Sequence, residues 1–187
     1  VIPVTVGRQK SIRLVKNAYR GNRIVGVIAQ KNIKTEEPGF DDVYTIGIVV
    51  RIIKMLVLPD GNTTIIIQGK QRFEIKERLR EEPFLMAKVS YLQDIFPEKN
   101  KKETKAIIQS IKDAANKILK LNPEIPQEAQ IAIDNIDSPG FLTHFLSSNL
   151  NAEVDDKQHL LEINNGLKRA TLLLEYMMKD IQMLELK

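Results

Sequence analysis

The spacing of apolar positions changes near residue 97, and this change divides the chain into two regions. Before it, short runs rich in valine and isoleucine alternate with turn-forming residues, which is typical of β-strands. After it, apolar residues recur three and four positions apart, which is typical of amphipathic helices. We therefore predict an α+β protein with a β-rich lobe over 1–92 and a helical bundle over 93–187.

The first region is predicted to hold one short helix and several strands. Ser11 can cap the helix, and Gly21 can end it. The turn formers at 59–62 predict a hairpin between two strands. The predicted strands are 23–29, 45–58, 63–68, 72–76 and 85–92.

The long strand at 45–58 is apolar on both of its faces. Strict alternation puts Ile52 and Leu56 on one face and Met55 and Val57 on the other. An antiparallel sheet with one wet face would instead alternate apolar with polar residues. The pattern predicts a closed or strongly curled sheet whose outer face is covered by other elements.

The second region begins with a charged linker or helix start at 98–103. An amphipathic helix is predicted over 106–119 and is expected to end near Asn122-Pro123. Ser138 can cap a helix that has Pro139 at its first position and runs over 141–150.

Two more helices complete the predicted bundle. Asp155 or Asp156 can cap a helix over 157–163. Apolar residues at helical spacing continue from Ala170 to Leu184, and no glycine or proline ends this last helix before Lys187. We expect more protein to follow it.

The amino-acid composition favours a folded globular protein and excludes several kinds of site. Of the 187 residues, 43% are hydrophobic and 28% are charged, which is ordinary for a folded globular chain. The chain has no cysteine, so disulfides and thiolate metal sites are excluded and a reducing compartment is favoured. The longest apolar run, 55–58, is far shorter than the roughly 20 residues that span a bilayer. We expect a soluble, cytoplasmic protein without membrane contact.

The net charge of +4 is unevenly distributed. Residues 1–92 hold 16 Lys and Arg against 9 Asp and Glu, whereas residues 93–187 hold 12 against 15. A basic lobe can attract nucleic acid or acidic peptide through its long-range field. The basic residues never form a run of five, however, which is typical of a solvated surface of mixed charge.

No motif indicates catalysis, a cofactor or a metal. His144 has no carboxylate or second histidine three or four residues away, and a satisfied helix histidine explains it better than a metal ligand or base. His159 has Glu162 three residues on, which is a common pair on a helix surface. Gly61 and Gly69 are too far apart for a phosphate loop, and Gln71 stands where that loop needs a hydroxyl. We predict no catalytic, cofactor-binding or metal-binding residue.

A series of short motifs resembles the N-terminal domain of bacterial Lon, the ATP-dependent protease. Their order and spacing cover nearly the whole chain. In the first region they are Val6-Gly7-Arg8, 28–31, 43–47, 59–61, 69–73 and 82–87. In the second they are Ser138-Pro139-Gly140-Phe141-Leu142, 157–162 and 168–175.

The resemblance implies a β-rich lobe related to PUA-like barrels, followed by a helical bundle that ends in a long helix. It implies binding of unfolded or damaged proteins and support of hexamer assembly. ATP and magnesium are expected only in the ATPase module of the parent, a serine endopeptidase. The family usually begins with a strand and a Phe-Pro-Gly step before Val1, so we expect the first strand to be truncated. Ile48 departs from the threonine that is common there.

Three kinds of function remain open from the sequence. The leading one is a non-catalytic domain that captures exposed apolar segments of unfolded proteins. The alternative is a nucleic-acid-binding PUA-like barrel, although 5% aromatic residues and no tryptophan leave little for base stacking. Self-association through the last helix is a third function and is compatible with the first.

Four apolar residues are candidates for contact with a protein substrate. They are placed at turns or on the second face of the sheet, and each can also be a core residue. The candidates are Phe40, Met55, Val57 and Phe84.

Overall fold

The computed structural model describes residues 1–96 and 101–186, and it divides the chain into two compact units. Val1–Gln93 forms a β-sheet unit, and Asp94–Lys187 forms a helical unit. The predicted α+β class, with a β-rich lobe followed by helices, is confirmed. The predicted linker or helix start at 98–103 lies partly outside the described residues.

The sheet unit contains five antiparallel strands, one α-helix and a short 3-10 helix at Phe40–Asp42. The sheet order is β1-β4-β3-β2, and β5 pairs with β4. The strands are β1 (Ile2–Val6), β2 (Ile24–Val27), β3 (Ile46–Val57), β4 (Thr63–Arg80) and β5 (Met86–Leu92), and the α-helix is α1 (Gln9–Arg20).

The hairpin predicted at 59–62 joins β3 to β4. Leu58 donates its N–H to the Asn62 carbonyl at 2.8 Å, and Gly61 has φ 89°, which favours glycine. The prediction of separate strands at 63–68 and 72–76 is wrong, because β4 runs continuously through both. Lys70 is an extra residue in its pairing with β3, so the strand continues through a bulge.

A second bulge changes which face of β3 each residue occupies. Ile52 pairs with Ile67 and Lys54 with Ile66, so Ile53 is the extra residue. Because this insertion reverses the alternation, Met55 packs against the same core as Ile52. The prediction that Ile52 and Met55 lie on opposite faces is therefore wrong.

The core of the sheet unit lies between α1 and one face of the sheet. Its buried residues are Val6, Val15, Val25, Val50, Ile52, Ile65 and Ile67. Helix α1 begins after Arg8, whose backbone is extended and whose carbonyl accepts from Ile12 at 2.9 Å. Ser11 lies inside this helix, so its prediction as the cap is wrong, whereas Gly21 ends the helix as predicted.

Over residues 94–96 and 101–186, the helical unit contains five helices around one apolar core. They are α2 (Lys101–Leu121), α3 (Glu128–Asp134), α4 (Pro139–Ser148), α5 (Val154–Glu162) and α6 (Gly166–Glu185). The core side chains that are fully buried include Ile111, Leu142, Leu160, Ala170 and Leu173.

The capping residues predicted for the helices of this unit are found only in part. Ser138 accepts from the Phe141 N–H at 3.2 Å, which confirms the predicted cap of α4. Helix α5 starts after Glu153, and Asp155 and Asp156 lie in its first turn, so their prediction as caps is wrong. In that turn their charge still complements the helix dipole.

Candidate functional site

The sheet unit encloses an apolar cavity of about 290 Å³ that opens to solvent. The lining comes from every part of the unit except β1. The lining residues are Leu14, Ile24, Val25, Gly26, Ile28, Phe40, Val43, Val49, Phe73, Ile75, Leu85, Met86, Ala87, Val89 and Tyr91.

The register of the sheet brings the lining residues of four strands to one face. Gly26 of β2 lies opposite Val49 of β3, and Phe73 of β4 lies opposite Tyr91 of β5. Since residues directly opposite each other share a face, these side chains form a continuous apolar surface. The core under α1 lies on the other face, and the cavity lining also includes Leu14 of α1 and Val25 of that core.

Glycines at two positions make room for the ring at the centre of the cavity. A Cβ on Gly26 would lie 3.0 Å from the Phe73 ring, and one on Gly47 would lie 2.2 Å from the Val27 carbonyl oxygen. Larger residues there would displace the ring or the neighbouring strand. The cavity therefore depends on two small residues in adjacent strands.

The cavity has a buried floor and an exposed rim. Phe40, Val43 and Phe73 are at most 7% exposed and form the floor. Val89 and Tyr91 on β5 are 40% and 59% exposed, although both line the same cavity. Exposed apolar surface that continues into a concave apolar site is typical of a place where a partner binds.

The four predicted contact residues lie in different environments. Phe40 lines the floor of the cavity and is 7% exposed, and Phe84 is buried to the same degree outside the lining. Met55 is partly buried against the core under α1, whereas Val57 at the end of β3 is 58% exposed. The structure does not bring the four together, and their role in binding stays a prediction.

The cavity rim on β5 was missed from sequence. Val89 and Tyr91 alternate with Lys88 and Ser90, which is the pattern of a strand with one apolar face. The sequence shows this alternation but does not show whether the apolar face is covered. Only the fold establishes that these side chains remain exposed.

The helical unit has an apolar cavity of its own, of about 300 Å³. Ile118, Ile133, Leu146 and Met177 contribute to its lining, together with Phe145, which is 40% exposed. It lies among helices, whose main-chain groups are already bonded within each helix. This cavity can hold side chains but offers no strand edge beside them.

A polar cluster in the helical unit joins residues that are distant in sequence. The Asp94 carboxylate accepts from Arg169 at 2.9 Å and lies 2.7 Å from His144 Nε2. Arg169 is fully buried and also donates to the carbonyls of Leu160 and Ile163. The cluster satisfies His144, and it explains that residue as part of the fold.

One lysine and one tyrosine, Lys10 and Tyr176, have raised pKa values. A hydrogen bond from Lys10 to Glu82 raises the pKa of Lys10, and both groups are exposed on the surface. Burial, aided by the nearby Asp156 carboxylate, raises the pKa of Tyr176. Neither residue lines the sheet-unit cavity, so neither shift indicates acid–base chemistry there.

Over residues 1–96 and 101–186, no group of three or more His, Asp or Glu side chains is arranged to hold a metal ion. Among the helices of those same residues, none combines the length and the apolar character needed to cross a bilayer.

A known protein family has a sequence model that matches most of the chain. The family model described as the ATP-dependent protease La (LON) substrate-binding domain matches residues 1–179. The Lon protease of Cytophaga hutchinsonii is 64% identical over 187 residues, and that of Flavobacterium johnsoniae is 47% identical over 187. The match covers 100% of this chain but only 23% of each of these relatives.

Solved structures resemble the fold at low sequence identity. The N-terminal domain of Mycobacterium avium complex Lon protease superposes with a TM-score of 0.73 and 14% identity, covering 94% of this chain and 89% of that one. The Lon N-terminal domain protein from Xanthomonas campestris superposes with a TM-score of 0.60 and 17% sequence identity. That match covers 93% of this chain and 88% of the other. At this level of identity the likeness concerns the fold alone.

Proposed function

Because this chain belongs to the LON substrate-binding domain family, we propose that it binds unfolded or damaged proteins and that the sheet-unit cavity receives their apolar side chains. The observation that carries the proposal is the cavity itself, with a buried apolar floor and the exposed Val89 and Tyr91 at its rim. An unfolded protein differs from a folded one in exposing apolar side chains, so an open apolar site selects for that state.

The cavity volume fits a small number of side chains and not a folded surface. Burying one leucine or valine contributes roughly 1.5–3 kcal/mol, which is about ten- to a hundredfold in affinity. One such contact gives weak binding that tolerates many sequences. That is the behaviour expected of a receptor for varied unfolded proteins.

In the whole Lon-type protein, we infer that captured segments pass to an ATP-driven unfolding and serine protease machinery. ATP and magnesium would then act in the parent's ATPase module. Support of hexamer assembly is part of the same proposal. The exposed Met178 and Met183 on α6 offer apolar surface for association.

The proposal is tested by titrating the chain into labelled, reduced and carboxymethylated lactalbumin, which is permanently unfolded, and following fluorescence anisotropy. Binding of this probe but not of native lactalbumin is expected. Val89→Ser with Tyr91→Ser should weaken binding about tenfold or more, because apolar contact at the rim is lost. Melting should change little, because both side chains are already exposed.

The matched control is Phe145→Ser at the cavity of the helical unit, since Phe145 is 40% exposed like Val89. Its affinity for the unfolded probe should stay close to that of the unsubstituted chain. If Phe145→Ser weakens binding and the β5 variant does not, the site is in the helical unit. If the unsubstituted chain fails to bind the unfolded probe, the proposed function is refuted.

A further inference from the structure

The outer edge of β2 has main-chain groups that face away from the sheet. Arg23 accepts from the Ile52 N–H at 2.7 Å, and Ala29 accepts from the Tyr44 N–H at 3.1 Å, so both carbonyls point toward the β3 side. In a strand the main-chain groups of successive residues point to alternate edges. The N–H and C=O groups of Gly26 and Ile28 therefore point to the side opposite β3.

This edge is open in the described part of the chain. Strand β2 pairs there with β3 alone and ends the sheet order. Gly26 is exposed, and since it has no side chain, the exposed surface is its main chain. The strand Ile24–Val27 contains neither proline nor a charged residue, which are common means of blocking an edge.

The open edge and the apolar cavity belong to the same residues. Ile24, Gly26 and Ile28 all line the cavity, and Gly26 and Ile28 carry the outward main-chain groups. A strand that paired with this edge would place alternate side chains on the cavity face. Main-chain bonding and side-chain burial can therefore come from one extended partner.

The charged residues that flank β2 in the sequence are basic. Residues 1–35 hold eight Lys and Arg and no Asp or Glu. Arg51 on β3 lies directly opposite Ile24 and is exposed, and Arg20 lies exposed at the end of α1. Within the described residues, no ion pair involves Arg20, Arg23 or Arg51. The complementary partner carries carboxylates.

We propose that an extended polypeptide segment with alternating apolar and acidic residues adds to the outer edge of β2 as a further strand. Its apolar side chains enter the cavity, and its carboxylates, on the opposite face of the added strand, lie near Arg20 and Arg23 on the α1 side. This inference rests on the proposed function and specifies how the bound segment is held. Main-chain pairing tolerates many sequences, while the cavity and the charges select among them.

The decisive experiment uses a short labelled peptide of alternating valine and glutamate in two N-methylated forms. One form is methylated on the valines and the other on the glutamates, so each blocks one edge of the extended peptide. Strand addition predicts that one form loses at least about tenfold more affinity than the other, because only one edge pairs. Equal affinity of the two forms would overturn the proposal.

Hydrogen exchange locates the pairing. The unmodified peptide should slow exchange of the Gly26 and Ile28 amides, while amides of β1 keep their rates. Protection confined to β5 would overturn the assignment to β2. These measurements use the whole chain without substitution, so they do not depend on a variant that fails to fold.

Charge is tested by Arg20→Glu, with Lys105→Glu on the exposed surface of α2 as the control for net charge. Arg20→Glu should weaken peptide binding about three- to tenfold and reduce its salt dependence. Lys105→Glu should leave both unchanged, and equal effects of the two variants would overturn the charge argument. A single-stranded oligonucleotide that binds more tightly than the peptide and displaces it would assign the edge to nucleic acid.

The two proposals fail in distinguishable ways. If the unfolded protein binds but the methylated peptides do not differ, strand addition is wrong and apolar capture stands. If neither the unfolded protein nor the unmodified peptide binds, the proposed function itself is wrong.

Discussion

Replacing Arg169 with leucine is expected to destabilise the helical unit by about 3 kcal/mol. The guanidinium is fully buried and donates to the carbonyls of Leu160 and Ile163 at the end of α5, as well as to Asp94. Leucine fills part of the space but offers no donor. The substitution therefore leaves several polar groups without the partner they have in the folded state.

The expected loss of stability is the sum over the three groups that accept a hydrogen bond from Arg169. Losing the Arg169 donor costs about 1 kcal/mol at each carbonyl, at the low end for a charged donor because rearrangement is possible and the Leu160 carbonyl keeps the Ile163 N–H at 3.4 Å. Loss of the Asp94 contact adds about 1 kcal/mol and no more, since the carboxylate is 26% exposed and keeps water and His144 as partners.

The measurement is urea unfolding followed by far-ultraviolet circular dichroism. A loss of about 3 kcal/mol lowers the midpoint by about 1–2 M for a domain of this size. Lys168→Leu is the matched control, because Lys168 is exposed one residue away and should change stability by less than about 0.5 kcal/mol. A loss below about 1 kcal/mol for Arg169→Leu would refute the reasoning.

Three further predictions concern stability. Gly166→Ala should lower the free energy of unfolding by about 1–3 kcal/mol, because the added Cβ would lie 2.4 Å from the Phe96 ring. The double variant with Phe96→Leu should recover part of this loss in the same urea assay. Phe40→Asp should destabilise the protein by several kcal/mol in calorimetry, because it puts a charge at a buried position. Val57→Asp should change stability little, because Val57 is 58% exposed. Similar losses of stability for the two variants would contradict this difference in burial. The raised pKa of Tyr176 means that its contribution to stability is full below the ordinary value of about 10 and is lost as the pH rises through the folded value. Tyr176→Phe should reduce the fall in unfolding free energy between about pH 9 and 11, and an unchanged pH profile would exclude this cause.

Local signals in the sequence predicted local structure well. The turn at 59–62 and the Ser138 cap depend on a few neighbouring residues, and both are found as predicted. The short helix α3 was missed, because its seven residues give too few turns for a clear apolar period.

Features that depend on strand register or on contacts between distant residues could not be predicted from local signals. The bulge at Ile53 puts Met55 beside Ile52 in the core, and alternation along one strand does not reveal an extra residue in its pairing with another. Asp94 meets His144 and Arg169 across 50 and 75 residues, with no sequence spacing that indicates the contact. The open cavity depends on the same long-range register.

The basic residues around β2 also affect how two copies of the chain meet. An edge strand without proline or inward charge is prone to pair with its own kind, which leads to aggregation. Two copies approaching edge to edge would bring Arg20, Arg23 and Arg51 of one toward the same cations of the other, and this repulsion opposes self-pairing. Electrostatic repulsion can thus keep a pairing edge available to foreign chains while protecting the protein from polymerising through it.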